Sequence, residues 1–280
     1  MVGKILSSFN RETSGVYQAA LLIGLSSILA KLLALYRDRL LAGSFGAGEM
    51  LDIYFAAFRV PDFLYSVSLI IATNVAIMPI LMRKENQGHD EVRTFISQIS
   101  SLFILAVGAT ILAAFFLMPY IASLIAPGLS AVSLDKLVVL SRILLLSPLL
   151  LGFSALVSGV LQIHNRFFIY ALSPILYNAG IISGILFFYP KMGLSGLAWG
   201  VILGALLHFL IQVPSLITLG VFPTPTFRIF SRDIFEVFKF SLPRSMGLGF
   251  NQIVLIALTA IASAIGAGSI AIFQLAYNLF

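Results

Sequence analysis

Apolar runs of about 20 residues or more, separated by short polar or Gly/Pro-containing breaks, follow one another along the chain. A helix needs about 20 such residues to cross roughly 30 Å of hydrocarbon. The pattern therefore predicts transmembrane helices at about Tyr17–Leu41, Leu51–Met82, Val92–Leu117, Leu137–Ile163, Phe167–Tyr189, Leu194–Leu219, Phe240–Ile265 and from Ser269 to the end. A membrane β-barrel would instead repeat segments of about 10 residues with alternating polarity, and none occurs. The expected fold class is all-α, a polytopic transmembrane helical bundle of about 8 spans. Pro61, Pro148 and Pro174 fall within spans, where loss of a helix hydrogen bond predicts kinks. Gly196, Gly200 and Gly204 form a small-residue ridge on the sixth span, to be read as helix packing.

Between the sixth and seventh spans, RIFSRDIFEVFKF reads as an amphipathic interfacial helix, with Arg228, Arg232 and Glu236 on one face and Phe230, Ile234 and Phe238 on the other. A repeat flanks it. FGAGEMLDIYFAAF from Phe45 and IGAGSIAIFQLAYNLF from Ile265 both put Gly-Ala-Gly between two spans, at an offset of 220 residues that encloses six spans. Internal repeats of this kind belong to transporter folds with two related lobes. The expected organisation is a six-helix lobe at 1–222, an inter-lobe linker at 223–239, and the start of a second lobe at 240–280. Because the eighth span would stop at Phe280 with unpaired carbonyls at membrane depth, the reading includes truncation of a longer sequence.

Composition agrees with a membrane protein: of 280 residues, 60% are hydrophobic and 10% charged, against about 25% charged in soluble domains. No cysteine is present, which excludes disulfides and thiolate metal sites. The net charge of +6 is scattered over loops, a poor fit to nucleic acid. With the N-terminus cytoplasmic, the inside segments hold Lys4, Arg11, Arg83, Lys84, Arg93, Arg166, Arg228, Arg232 and Lys239, and the outside loops mainly Lys136 and Lys191. The positive-inside rule thus predicts an N-in topology. The first run is long, holds internal charges and is followed by many others, so it reads as a retained span, not a signal peptide.

Against this background, Lys31, Arg37, Asp38, Arg39, Asp52, Arg59 and Asp62 crowd into the first two spans. One central charge costs about 2.5–3.5 kcal/mol, while each Leu or Ile returns about 0.3–0.6. Helical spacing aligns Gly24, Ser27, Lys31, Ala34 and Asp38 on one stripe of the first span, and Asp52, Ala56, Arg59 and Ser66 on another, with Asp62 beside it. Both stripes are expected to face the bundle interior or a water-filled cavity. One reading is internal ion pairs, Arg37 with Asp52 or Arg59 with Asp62, that fix packing. The other is a cationic cavity for an anionic substrate, in which Arg suits a bidentate grip on phosphate oxygens.

The remaining polar residues add little. His89 and His164 fall in loops as solvated residues, and His208 in a span as a packing or hydrogen-bonding residue. Arg142 and Arg244 sit near span ends and are expected to snorkel to headgroups. Asn251 and Gln252 are placed at the interface between lobes. No phosphate-binding Gly-rich loop ending in Gly-Lys-Ser/Thr, zinc spacing or G-x-S-x-G elbow is present, so a membrane-embedded enzyme acting on lipid-linked phosphate has no catalytic residues to point to. No cofactor and no metal are implied.

AKLLALYRDRLLAGSFGAGEMLDIYFAAFRVPDFL resembles the opening of the MurJ (MviN) lipid II flippases of the MOP exporter superfamily, whose first two spans carry R-D, then FGAG, then an acidic residue. GVLQIHNRFFIYALSPILYNAGII and LAWGVILGALLHFLIQVP resemble that family's segment between spans four and five and its sixth span. The resemblance implies two lobes around a central cavity, with alternating access carrying undecaprenyl-pyrophosphate-linked peptidoglycan precursor across the bacterial cell membrane. Charge pattern and resemblance together give an expected substrate cavity lined by Lys31, Arg37, Asp38, Asp52, Arg59, Asp62 and Asn278, with lipid II and membrane lipids as partners and no nucleic acid. Lys31 stands where Arg is usual, Arg37 and Asp38 match the R-D pair, and Asp52 matches the acidic position. Tyr65, Ile70 and Asn278 differ from the pattern, replacing an Arg, a Glu and an eighth-span Arg. A flippase for another polyprenyl-linked saccharide stays open, as does a MATE-type drug exporter, against which Lys31 and Arg37 argue because its usual substrates are cationic. The coupling ion or energy source is not legible.

Overall fold

The computed structural model describes residues 15–72 and 74–279, and is helical throughout its regular structure, with no strand among the described residues. Among the described residues, seven segments are long and apolar enough to cross a membrane: Tyr17–Phe45, Glu49–Glu85, His89–Ile125, Ala131–Ile163, Phe167–Met192, Leu194–Thr218 and Arg232–Ile265. A shorter helix, Ser269–Tyr277, occupies the expected eighth position. Lys4 and Arg11 lie outside the described residues, as does Phe280.

Two expected kinks are helix breaks, and their positions follow from proline chemistry. Pro61 and Pro148 cannot donate to the carbonyls of Ala57 and Leu144 four residues earlier. Helices end at those two residues, Glu49–Ala57 and Ala131–Leu144, and resume at Arg59 and Leu146. Pro174 lies inside a continuous helix, Phe167–Ser183, which passes into a π-helical turn at Gly184–Phe188.

The separate interfacial helix expected in the linker does not form. From residue 221 to 231 the chain is non-helical, and helix starts at Arg232 and runs unbroken to Ile265. Ser231 caps its start by accepting a bond from the Ile234 N–H at 3.3 Å. The Ser231 cap sets the start four residues later than expected, and helix then continues past Phe240 and Pro243 without a break, so the stretch joins the seventh span. The amphipathic residues of Ile234–Phe238 therefore form the first turns of the seventh span.

The glycine ridge packs as expected. Its partner is the fifth span, where a Cβ on Gly200 would lie 2.4 Å from the Cα of Gly184, and one on Gly204 would lie 2.4 Å from the carbonyl oxygen of Tyr177. The apolar interior divides into two clusters. One gathers Leu41, Leu51, Phe55, Met118, Leu137 and Ile270, and the other Ile77, Phe95, Phe103, Leu161, Leu216 and Ile234. The first span departs from expectation: Gly24, Ser27 and Lys31 are exposed, while its packing is chiefly on Phe167–Ser183. Arg142 also departs from the snorkelling expectation, because its guanidinium lies 4.6 Å above the Phe115 ring and bonds that residue's carbonyl at 3.1 Å.

Gly200→Ala should lower the stability of the detergent-solubilised protein by about 1–3 kcal/mol through overpacking. Gly108→Ala, where a Cβ meets nothing within 4 Å, should not lower it. Thermal unfolding of the two variants side by side checks this.

Candidate functional site

The stripe on the second span is buried as its spacing predicts: Asp52, Ala56, Arg59 and Ser66 are all buried. Arg59 is only 2% exposed, so each of its donors needs an acceptor or an opening to water. Its Nε donates to Thr259 Oγ1 of the seventh span at 2.6 Å, and its Nη2 to Gln274 Oε1 of the eighth helix at 2.6 Å. Thr259 in turn donates to the Leu255 carbonyl at 2.7 Å. Nη1 of Arg59 has no hydrogen-bond partner among the described residues.

From Gln274 the bonding continues to the first span. Gln274 Nε2 donates to Asn278 Oδ1 at 2.7 Å, and Asn278 Nδ2 donates to Asp38 Oδ2 at 3.0 Å. The other oxygen of Asp38 accepts from Arg37 Nε at 2.8 Å and pairs with Arg37 Nη2 at 2.8 Å. Arg37 Nη1 reaches Asn178 Oδ1 of the fifth span at 3.2 Å. One unbroken series of side chains thus links the fifth, first, eighth, second and seventh spans.

This series borders a cavity of about 210 Å³ that also touches Tyr54 and Tyr177. Of the seven residues expected at a substrate cavity, Arg37, Asp38, Arg59, Asp62 and Asn278 border this one together. Lys31 does not: it is exposed on the first span, seven residues from Asp38 and so on the same stripe about two turns away. The cavity therefore presents two Arg and two Asp, a balanced charge in place of the expected excess of cations. Neither expected ion pair involving Arg37 with Asp52 or Arg59 with Asp62 forms within 4 Å; Arg37 pairs with its neighbour Asp38. The Asp62 carboxylate faces the cavity without a hydrogen-bond partner among the described residues.

Asp52 is also outside the cavity, and its geometry gives it a different task. Its carboxylate accepts the backbone N–H of Gly268 and, at 2.8 Å, that of Ala271. Those are free donors at the start of the Ser269–Tyr277 helix, which prefers a negative charge there. The two copies of the Gly-Ala-Gly repeat meet at this point. Gly268 has φ of +91°, and a Cβ on it would lie 2.4 Å from the Ala47 carbonyl oxygen, so both its conformation and its neighbour require glycine.

A second polar region lies deeper in the fourth, fifth and sixth spans. Ser154 Oγ bonds His208 Nδ1 at 2.7 Å and accepts from Gln212 Nε2 at 2.6 Å; Gln212 also reaches Ser173 and Ser158. Ser154 and Gln212 are fully buried, and His208, which is partly buried, has the hydrogen-bonding role its sequence position suggests. Arg244, expected to snorkel, instead lines a cavity of about 320 Å³ with Tyr65, Tyr170 and His208. His164 is not free in solvent: it stands 3.6 Å from Glu85 and bonds the Val160 carbonyl at 3.0 Å. Sequence reasoning missed Thr259, Gln274, Asn178, Tyr54 and Tyr177. The amides of Gln274 and Asn278, four residues apart in an apolar stretch, were the one available signal.

Fold and cavity together define a class, a multi-pass membrane protein with the helical arrangement of MOP-superfamily transporters. A solved structure described as the inward-facing conformation of a multidrug resistance MATE family transporter of the MOP superfamily superposes with a TM-score of 0.66 at 19% identity, covering 89% of this chain and 57% of that one. The chain belongs to the MurJ family, whose model, described as lipid II flippase MurJ, matches residues 41–280. A relative from Burkholderia cenocepacia named lipid II flippase MurJ is 28% identical over 264 residues, covering 91% of this chain and 51% of the relative. One from Buchnera aphidicola subsp. Acyrthosiphon pisum, named probable lipid II flippase MurJ, is 32% identical over 257 residues, covering 89% and 50%. A solved structure described as lipid II flippase MurJ, inward closed conformation, superposes with a TM-score of 0.70 at 25% identity, covering 92% of this chain and 54% of that one. The chain spans about half the length of the curated relatives it matches.

Asp52→Ala leaves two backbone donors without their acceptor and should cost about 1–3 kcal/mol. Asp52→Asn, which keeps one acceptor oxygen but no charge, should lose less. The order of the thermal midpoints, wild type above Asn above Ala, is the check.

Proposed function

We propose that the chain is part of a lipid flippase that carries a polyprenyl-pyrophosphate-linked peptidoglycan precursor between the leaflets of a bacterial inner membrane, with no bond made or broken. The observation that carries this reading is the guanidinium of Arg59, buried at membrane depth yet keeping Nη1 open on a cavity that Arg37 also lines. A pyrophosphate offers oxygen acceptors in the planar spacing that suits guanidinium. On entry it competes with the side-chain acceptors: with Gln274 for Arg59, and with Asp38 for Arg37. Lys31, two turns along the same stripe as Asp38, is a waiting cation on the route in. Membership of the MurJ family supports this substrate over a cationic drug.

The proposal keeps residues 1–222 as one lobe and 240–280 as the opening of another, joined by 223–239, with the N-terminus cytoplasmic. Rocking of the lobes would then act on two sets of contacts. At one end Asp52 holds Gly268 and Ala271, and Ser263 Oγ accepts the Gly128 N–H at 3.1 Å. At the other, Arg83 pairs with Asp233 at 2.9 Å and Glu236 at 2.7 Å. Opening either end breaks its set while the other remains as a hinge. An inside-negative potential would act on any net charge moved, at about 2.3 kcal/mol per charge per 100 mV.

The test is complementation of a strain depleted of its own lipid II flippase by the full-length gene. Wild type should restore growth, and Arg37→Ala, Arg59→Ala and Lys31→Ala should fail despite normal membrane levels by immunoblot. Arg59→Lys should also fail, because a point ammonium cannot serve Thr259, Gln274 and the cavity at once. Normal growth of the two arginine-to-alanine variants would reject the reading.

A further inference from the structure

On the membrane-facing side of the third span, away from the cavity just described, the linker builds a groove. Thr224 and Thr226 donate their backbone N–H groups to Ser97 and Ser101 Oγ, each at 3.0 Å. The residues before each of them, Pro223 and Pro225, have no N–H to give. This stretch therefore spends its donors on one helix and is held extended beside it. The serines are four residues apart and so share a face of the helix.

The linker divides the surface into two adjoining hollows. One, about 430 Å³, is walled by Ile104, Leu105, Phe153, Phe222 and Phe227, and is apolar. The other, about 480 Å³, is lined by Asp90, Arg93, Gln98 and Arg228. Thr224 and Thr226 border both. Arg93 and Arg228 are exposed and have no ion-pair partner within 4 Å among the described residues. Eleven residues separate Arg93 from Ile104, about 16 Å of helix rise at 1.5 Å per residue. Cations near one end of a long span, with bare apolar surface that distance further in, match the headgroup and acyl layers of one leaflet.

We infer that this is a binding site for an anionic glycerophospholipid, with the phosphate at Arg93 and Arg228 and an acyl chain in the groove beside Leu105. Charge complementarity selects the lipid: two unpaired cations outweigh one carboxylate, and a zwitterionic headgroup would bring its own cation against them. A lipid seated there would brace the linker against the third span, and so the junction on which the seventh span is hung. The site does not depend on what the central cavity carries.

These 280 residues contain no cysteine, so Leu105→Cys, made in a full-length background with any cysteine elsewhere replaced by serine, gives one labelling position, and bimane attached there reports contact with brominated acyl chains. The full-length protein, reconstituted in phosphatidylcholine vesicles, is titrated with brominated phosphatidylglycerol or brominated phosphatidylcholine. Half-quenching should need about fivefold less of the anionic lipid, and Arg93→Gln with Arg228→Gln should make the two lipids equal. Both arginines are exposed, so the double variant should keep the wild-type elution profile and thermal midpoint. Equal quenching by both lipids in the parent protein, or a preference that survives the double variant, would overturn the assignment.

Discussion

The buried guanidinium of Arg59 is the constraint around which the described helices are arranged. A charge at that depth cannot be left to lipid, and its own helix has no acceptor to spare. Thr259 and Gln274 supply acceptors from 200 and 215 residues further on, and their helices must therefore lie against the second span. The bond from Gln274 extends through Asn278 to Asp38, so satisfying Arg59 also fixes where the first span stands relative to the eighth helix.

That arrangement gives the repeated Gly-Ala-Gly turn a physical purpose. The turn at 46–48 lets Asp52 project from the first helical turn of the second span, and the turn at 266–268 presents free N–H groups at the start of the next helix. Carboxylate meets helix N-terminus, and glycine at 268 permits the close backbone approach. The acidic residue thus joins the two copies of the repeat instead of serving the cavity. The result is a cavity whose charges balance and most of whose polar groups are bonded to one another, with Arg59 Nη1 and the Asp62 carboxylate left without a hydrogen-bond partner among the described residues.

Much of the architecture was legible in the sequence for a simple reason: apolar length sets span number, and the helix period sets which residues share a face. The stripe Asp52–Ala56–Arg59–Ser66 and the glycine ridge of the sixth span were both found that way, and both are buried as their spacing required. The linker helix was misread because periodicity marks a helical face and not where a helix starts or stops: the Ser231 cap starts it later, and nothing separates it from the seventh span. The stripe on the first span was misplaced for another reason. Periodicity says which residues lie together on a helix, but not which neighbours will cover them, and Lys31 is left exposed.

By itself, then, the sequence determined a multi-pass helical bundle, the positions of its breaks, the crowding of charge in its first two spans and the family to which these belong. Only the tertiary structure decided how the charges are used: Arg37 with Asp38, Arg59 with Thr259 and Gln274, Asp52 with a helix end, and Asp62 with the open cavity. The physical reason is reach. Membrane insertion and helix period act within one segment and are written locally, whereas a buried polar group takes whichever partner another helix brings within about 3 Å.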